Sequence, residues 1–182
     1  MTKKEMILSR NGYQIPVTHN IQGNESEIVL ISHGFGSTKE SPTVKLMSEV
    51  LKKKGMGFLA FDFPAHGESP VDGEDFTLDN CLDDLSSAEE EITKKAPEAK
   101  IYYFSSSFGA YINLLYLTLR PYRGSKSFLR CPAVDMPGIL RSNLTEAIQK
   151  DCEKQSYTLL TEGFTKPLKL TETFYNQLQA HD

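Results

Sequence analysis

The stretch FSSSFGAY (104–111) places three hydroxyls where an apolar, strand-forming run meets a helix-forming one. Ser107 is the centre of a small-x-Ser-x-Gly pattern, with Ser105 on one side and Gly109 on the other. A serine nucleophile is carried on such a corner because a sharp strand-to-helix turn lifts its hydroxyl clear of the backbone. The flanking backbones then nearly touch, which calls for small residues two positions either side. The usual form has glycine at both, and Ser105 replaces one of them. The competing reading is a solvated turn, with three exposed hydroxyls on relaxed backbone. The nucleophile reading is the more demanding: positive φ or strained backbone at Ser107, Ser105 turned into packing, Ser106 hydrogen-bonded locally, and converging amides nearby.

Two other loops carry unusual residues. In SHGFGSTKES (32–41), acyl-transfer chemistry would use the backbone N–H of Phe35, with that of Phe108 as the second donor to an oxyanion. Preorganised donors of this kind are worth about 3–4 kcal/mol each in a transition state. A dinucleotide site would use Gly34-x-Gly36 as a phosphate loop and Asp62 as a ribose ligand. Against it, Lys39 stands where a third small residue belongs, and the next helix begins late, at Ser41 and Pro42. A plain glycine turn is the third reading. In DFPAHGES (62–69), His66 is either a general base or a hydrogen-bonded loop anchor, the commoner role for such a position. His33 reads as a turn anchor, and His19 lies in an N-terminal hairpin. The four histidines have no metal-ligand spacing, and no phosphate-loop signature occurs. Neither metal nor cofactor is expected.

The elements that must position these loops follow from the hydrophobic pattern. KEMILSRNGYQIPVTHN (4–20) reads as a hairpin about Asn11-Gly12. Buried strands are predicted over 27–34 and 56–64, and a third and fourth strand over 100–105 and 125–132. A helix over 41–55 has Ser41 as N-cap and Gly55 as stop, with Val44, Met47, Val50 and Leu51 on one face. Another over 76–97 is capped by Thr77 and turns Leu78, Cys81, Leu82, Leu85, Ala88 and Ile92 inward. A third, over 108–120, is apolar on most faces and should be deeply packed. This alternation predicts an α/β fold, a mostly parallel sheet with helices on both faces. In such sheets ligands bind at the C-terminal strand edge, where all three loops fall. Beyond 136 the chain reads as helical or irregular, with no clear buried strand.

A chain of 182 residues with 39% hydrophobic and 24% charged residues suggests a single globular domain over 1–182. The net charge of −4 gives no reason to expect nucleic acid or an anionic membrane as partner. No apolar run approaches the roughly 18 residues of a membrane span, and the N-terminus lacks a signal-peptide core. Cys81, Cys131 and Cys152 form no CxxC pair and no even set, which makes a reducing cytoplasm the expected location.

The three loops in this order, SHGFGSTKES, FLAFDFPAHGES and YYFSSSFGAY, resemble the α/β-hydrolase family. Within it they look most like small microbial serine esterases, the cinnamoyl-esterase-like and serine-aminopeptidase-like hydrolases. The resemblance runs from about residue 5 onward. It implies Ser107 as nucleophile, Phe35 and Phe108 as oxyanion donors, and 136–178 as a lid-like segment. The implied activity is hydrolysis of carboxylic esters or related acyl bonds in a small-molecule substrate, through an acyl-enzyme. In the family the triad acid and base follow the lid on two further strands. The chain is therefore expected to lack those C-terminal strands, and Asp135 and His181 are weak substitutes for the missing pair. The alternative is a non-catalytic or truncated relative that keeps the pocket. An open sheet edge would favour self-association.

Overall fold

The computed structural model describes residues 1–143, 155–161, 163, 164 and 166–181. β1 (Lys3–Leu8) and β2 (Gln14–His19) pair antiparallel, with Lys3 opposite His19. Their turn closes through Ser9 N–H to the Tyr13 carbonyl at 2.8 Å, and Gly12 takes φ +86°. A positive φ there is why the tip carries glycine.

From β3 (Glu27–Ser32) the chain alternates: α1 (Pro42–Lys53), β4 (Gly57–Phe61), α2 (Leu78–Lys95), β5 (Lys100–Ser106), α3 (Phe108–Leu119) and β6 (Lys126–Arg130). The six strands form one sheet in the order β1-β2-β4-β3-β5-β6, parallel from β4 through β6. Successive strands place β4 on one side of β3 and β5 on the other. Such a reversal opens a crevice at the carboxyl ends of the strands.

Strand alternation divides the apolar residues between two cores. Ile28 and Leu30 of β3 and Leu59 and Phe61 of β4 face the larger core, with α2, α3 and the C-terminal elements. Val29, Ile31, Phe58, Ala60 and Phe104 face Val44 and Leu51 of α1. Helices thus cover both faces, as the α/β reading requires. Ser41 caps α1 by accepting from Val44 N–H at 3.4 Å, and Thr77 caps α2 by accepting from Asn80 N–H at 3.1 Å. All six residues predicted to face inward from α2 are buried.

Several expectations need correction. Val50 of α1 is exposed, because the face that meets the sheet is set by Val44, Ser48 and Leu51. On α3 the N-terminal half and Tyr116 are enclosed, while Leu114 and Leu119 lie at the surface. The fourth strand is present as β6, shorter than 125–132 and largely exposed. The region after 136 does contain strands. α4 (Met136–Asn143) is followed by β7 (Tyr157–Leu160), β8 (Leu168–Thr171) and α5 (Glu172–Gln179). β7 and β8 form an antiparallel ribbon separate from the main sheet. Leu168, Leu170, Phe174 and Leu178 join the larger core. Parts of the predicted 136–178 segment, and Cys152, lie outside the described residues.

Candidate active site

Ser107 lies between the last residue of β5 and the first of α3, with φ +52° and ψ −116°. Non-glycine backbone in this region costs of order 1–3 kcal/mol and persists only where the surroundings hold it. Those surroundings are visible. Ser107 N–H donates to the Arg130 carbonyl at 2.9 Å, and the Ser107 carbonyl accepts from Ala110 and Tyr111 N–H at 3.0 and 3.1 Å. Gly109 fits because a Cβ there would stand 2.4 Å from the His33 carbonyl. The glycine two residues past the serine thus allows the elbow to close against the end of β3.

The three hydroxyls separate as strand alternation dictates. Ser105 is buried and bonded to Ser32 Oγ at 2.8 Å. Ser107 is the exposed one of the three. Ser106 departs from expectation. It belongs to β5 rather than to the turn, points to the opposite sheet face from Ser105, and its buried Oγ has no hydrogen-bond partner among the described residues.

The Gly34 loop lies directly against this corner. A Cβ on Gly34 would be 3.4 Å from Ser107 Cβ and 3.9 Å from its Oγ. The Phe35 ring meets the Phe108 ring edge-on at 5.6 Å. Phe108 begins α3, so its N–H has no intrahelical acceptor. Among the described residues no backbone carbonyl accepts from the Phe35 N–H. Phe164, between β7 and β8, sits on this loop at 5.7 Å from the Phe35 ring. Gly36, at φ +66°, admits it, since a Cβ there would be 1.9 Å from the Phe164 ring.

His19, His33 and His66 are structural. His33 Nε2 accepts from Phe63 N–H at 3.2 Å, which leaves the proton on Nδ1 to donate to the Gly34 carbonyl at 2.8 Å. Its burial lowers its pKa despite nearby Asp62. His66 Nδ1 donates to the Pro64 carbonyl at 2.8 Å, while Nε2 is buried without a hydrogen-bond partner among the described residues. Burial, with His33 beside it, pushes the His66 pKa down to about 3. His19 is occupied by the Ile21 N–H at 3.1 Å and by Glu5. Among the described residues no histidine nitrogen is hydrogen-bonded to Ser107 Oγ. Asp135 does not pair with His181. It caps α4 by accepting from Gly138 N–H at 2.8 Å, and His181 follows α5 on the surface.

Sequence reasoning missed the pair that joins the first two loops. Lys39 Nζ and Asp62 Oδ2 form a buried ion pair at 2.9 Å, and Asp62 also accepts from Lys39 N–H at 2.7 Å and Glu68 N–H at 2.9 Å. Lys39 Nζ also contacts Glu68. Burial alone would depress Lys39, but Glu68 and Asp62 outweigh it and raise its pKa. Asp62 is therefore engaged by these groups, and the dinucleotide reading fails. The signal was present as a lysine interrupting the glycine pattern, but its partner lies 23 residues away.

A parallel sheet with a strained serine corner at its topological switch defines the α/β-hydrolase fold. The chain belongs to the serine aminopeptidase S33 family, which it matches over residues 23–171. It is similar to protein phosphatase methylesterase 1 of Candida albicans, 28% identical over 110 residues. That match takes in 60% of this chain and 30% of the relative, so the chain spans about a third of the curated relative's length. Among solved structures, mouse alpha/beta hydrolase domain-containing protein 10 superposes with a TM-score of 0.74 at 17% identity, over 98% of this chain and 70% of that one. The Pyrococcus furiosus esterase Pf2001 gives 0.67 at 21% identity, over 84% and 59%. No helix among the described residues is long and apolar enough to cross a membrane.

Proposed function

We propose that the chain is a serine hydrolase of carboxylic esters or related acyl bonds. Ser107 attacks the acyl carbon and forms an acyl-enzyme that water then releases, and the Phe35 and Phe108 N–H groups hold the oxyanion. The observation that carries this reading is the strained Ser107 corner at φ +52°, exposed and pressed against the Gly34 loop. A methylesterase and an esterase among the similar proteins favour esters as the substrate class. The described parts of 136–178 act as a cover, with Phe164 over the oxyanion loop. No cofactor is needed, since an acyl transfer of this kind moves only protons and an acyl group.

The engaged histidines favour a second reading, a hydrolase-like protein that keeps the pocket without turnover. p-Nitrophenyl acetate separates the two. Without a histidine on Ser107, turnover is expected to be slow and abolished by Ser107→Ala; a serine hydrolase missing a triad member retains about 10³–10⁴-fold catalysis over water. Hydrolysis unchanged in Ser107→Ala would contradict the proposed nucleophile.

A further inference from the structure

The loop that carries the Phe35 N–H is a turn. The Gly34 carbonyl accepts from Ser37 N–H at 3.1 Å and from His33 Nδ1 at 2.8 Å. Carbonyl and N–H point opposite ways across a planar trans peptide, so two donors on the Gly34 carbonyl set the direction of the Phe35 N–H. Gly36 is the third residue of this turn, at φ +66°, a conformation that glycine takes readily at that position.

The turn is braced at both glycines. At Gly34 it meets Ser107. At Gly36 it meets Phe164, where a Cβ would stand 1.9, 2.4 and 3.0 Å from three carbons of the ring. The ring therefore lies directly on the Gly36 backbone. Phe164 is edge-on to Phe35 at 5.7 Å, and Phe35 is edge-on to Phe108 at 5.6 Å. Aromatic contact thus runs unbroken from Phe164 to both residues whose amides would hold the oxyanion. Phe164 is itself held in place. Lys166 Nζ donates to the Ser69 carbonyl at 3.3 Å, Lys169 Nζ contacts Glu74, and a Cβ on Gly73 would stand 2.2 Å from the Lys169 carbonyl. Leu168 and Leu170 are buried in the larger core.

We propose that Phe164 is a positioning residue for the oxyanion donor at Phe35. It acts through Gly36: the ring backs the turn, and the turn fixes the Phe35 N–H. The segment between β7 and β8 then does more than cover the site, because the donor pair is complete only with the ring in its seat. The chemical consequence rests on the Ser107 reading, whereas the brace itself rests on the Gly36 contact alone.

The test follows phosphonylation of the full chain by a fluorophosphonate, in which Ser107 Oγ displaces fluoride and the phosphoryl oxygen takes the place of the oxyanion. Removing one oxyanion donor outright typically costs about 10²–10³-fold. Phe164→Ala loosens the donor without removing it. The maximal labelling rate is expected to fall about tenfold, with the half-saturating probe concentration unchanged. Exchange of the Ser37 amide, whose N–H closes the turn, should quicken about tenfold as well. Phe164→Leu keeps an apolar side chain on Gly36 and should return both to within about threefold of the parent. Labelling and Ser37 exchange at parent rates in Phe164→Ala would overturn the proposal. So would faster labelling, which would make Phe164 a plug, or a raised half-saturating concentration alone, which would make it a contact of the probe. A parent that takes no label at Ser107 would contradict the nucleophile instead. Ser37 exchange in Phe164→Ala would then decide the brace by itself, quickened if the ring holds the turn and unchanged if it does not.

Discussion

Lys39 and Asp62 place a full charge pair inside the loops that flank Ser107, with side chains 1% and 0% exposed. Removing one partner leaves the other charge buried and uncompensated, which typically costs about 3–5 kcal/mol. Lys39→Met should lower the unfolding free energy by that amount, read as a lower urea midpoint at unchanged slope; a loss under about 1 kcal/mol would show that the pair is not buried in solution. His66 gives a pH signature. Its folded pKa, about 3, lies below the ordinary histidine value. The folded state therefore stays neutral while the unfolded chain takes up a proton. Stability from this group is full above pH ~6.5 and is lost as pH falls toward about 3, at roughly 1.4 kcal/mol per pH unit. His66→Phe should flatten that part of the stability profile. An unchanged acid limb would count against a buried neutral His66.

At the scale of elements, the N-terminal hairpin is fixed to α2 through one carboxyl. Asp84 is buried and accepts from Ser9 Oγ at 2.7 Å and Tyr13 OH at 2.9 Å. Burial raises its pKa to about 7, against those two hydrogen bonds, with Asp83 and Asp75 adding repulsion. Here the folded state holds the proton more tightly than the unfolded chain. The stabilisation is full below pH ~3.9 and is lost as pH rises through about 7. Asp84→Asn should therefore gain thermal stability relative to the parent at pH 8 and lose that advantage at pH 4. An equal difference at both values would contradict the buried, proton-holding carboxyl. Further along α2, Glu89 ties the helix to α3 and to the segment before β6, accepting from Tyr116 OH at 2.8 Å, Arg123 N–H at 2.9 Å and Gly124 N–H at 3.0 Å, and from Tyr103 OH.

Across the whole molecule, the parallel core was legible because β3, β4 and β5 are continuous apolar runs bounded by glycine and by capped helices. The strained corner at Ser107 was legible because its pattern falls at a strand–helix junction. The ribbon of β7 and β8 was not, because YTLL and LKLT are four residues each, separated by Gly163 and Pro167, and acquire strand geometry only by pairing with each other. The Lys39–Asp62 pair and the seat of Phe164 on Gly36 were equally hidden, since both are contacts between distant segments. The role of Ser106 was misread because the strand runs one residue further than its apolar pattern. The same long-range closure brings the ends of β3 and β5 together and gives Ser107 its exposed, strained position. The central claim is that this position makes Ser107 a nucleophile unlike its neighbours. Exposure of the full chain to a fluorophosphonate, followed by peptide mass mapping, tests it most directly. A slow adduct confined to Ser107, and lost in Ser107→Ala, is the predicted result; no adduct after prolonged exposure, or equal modification of Ser105 and Ser106, would contradict it.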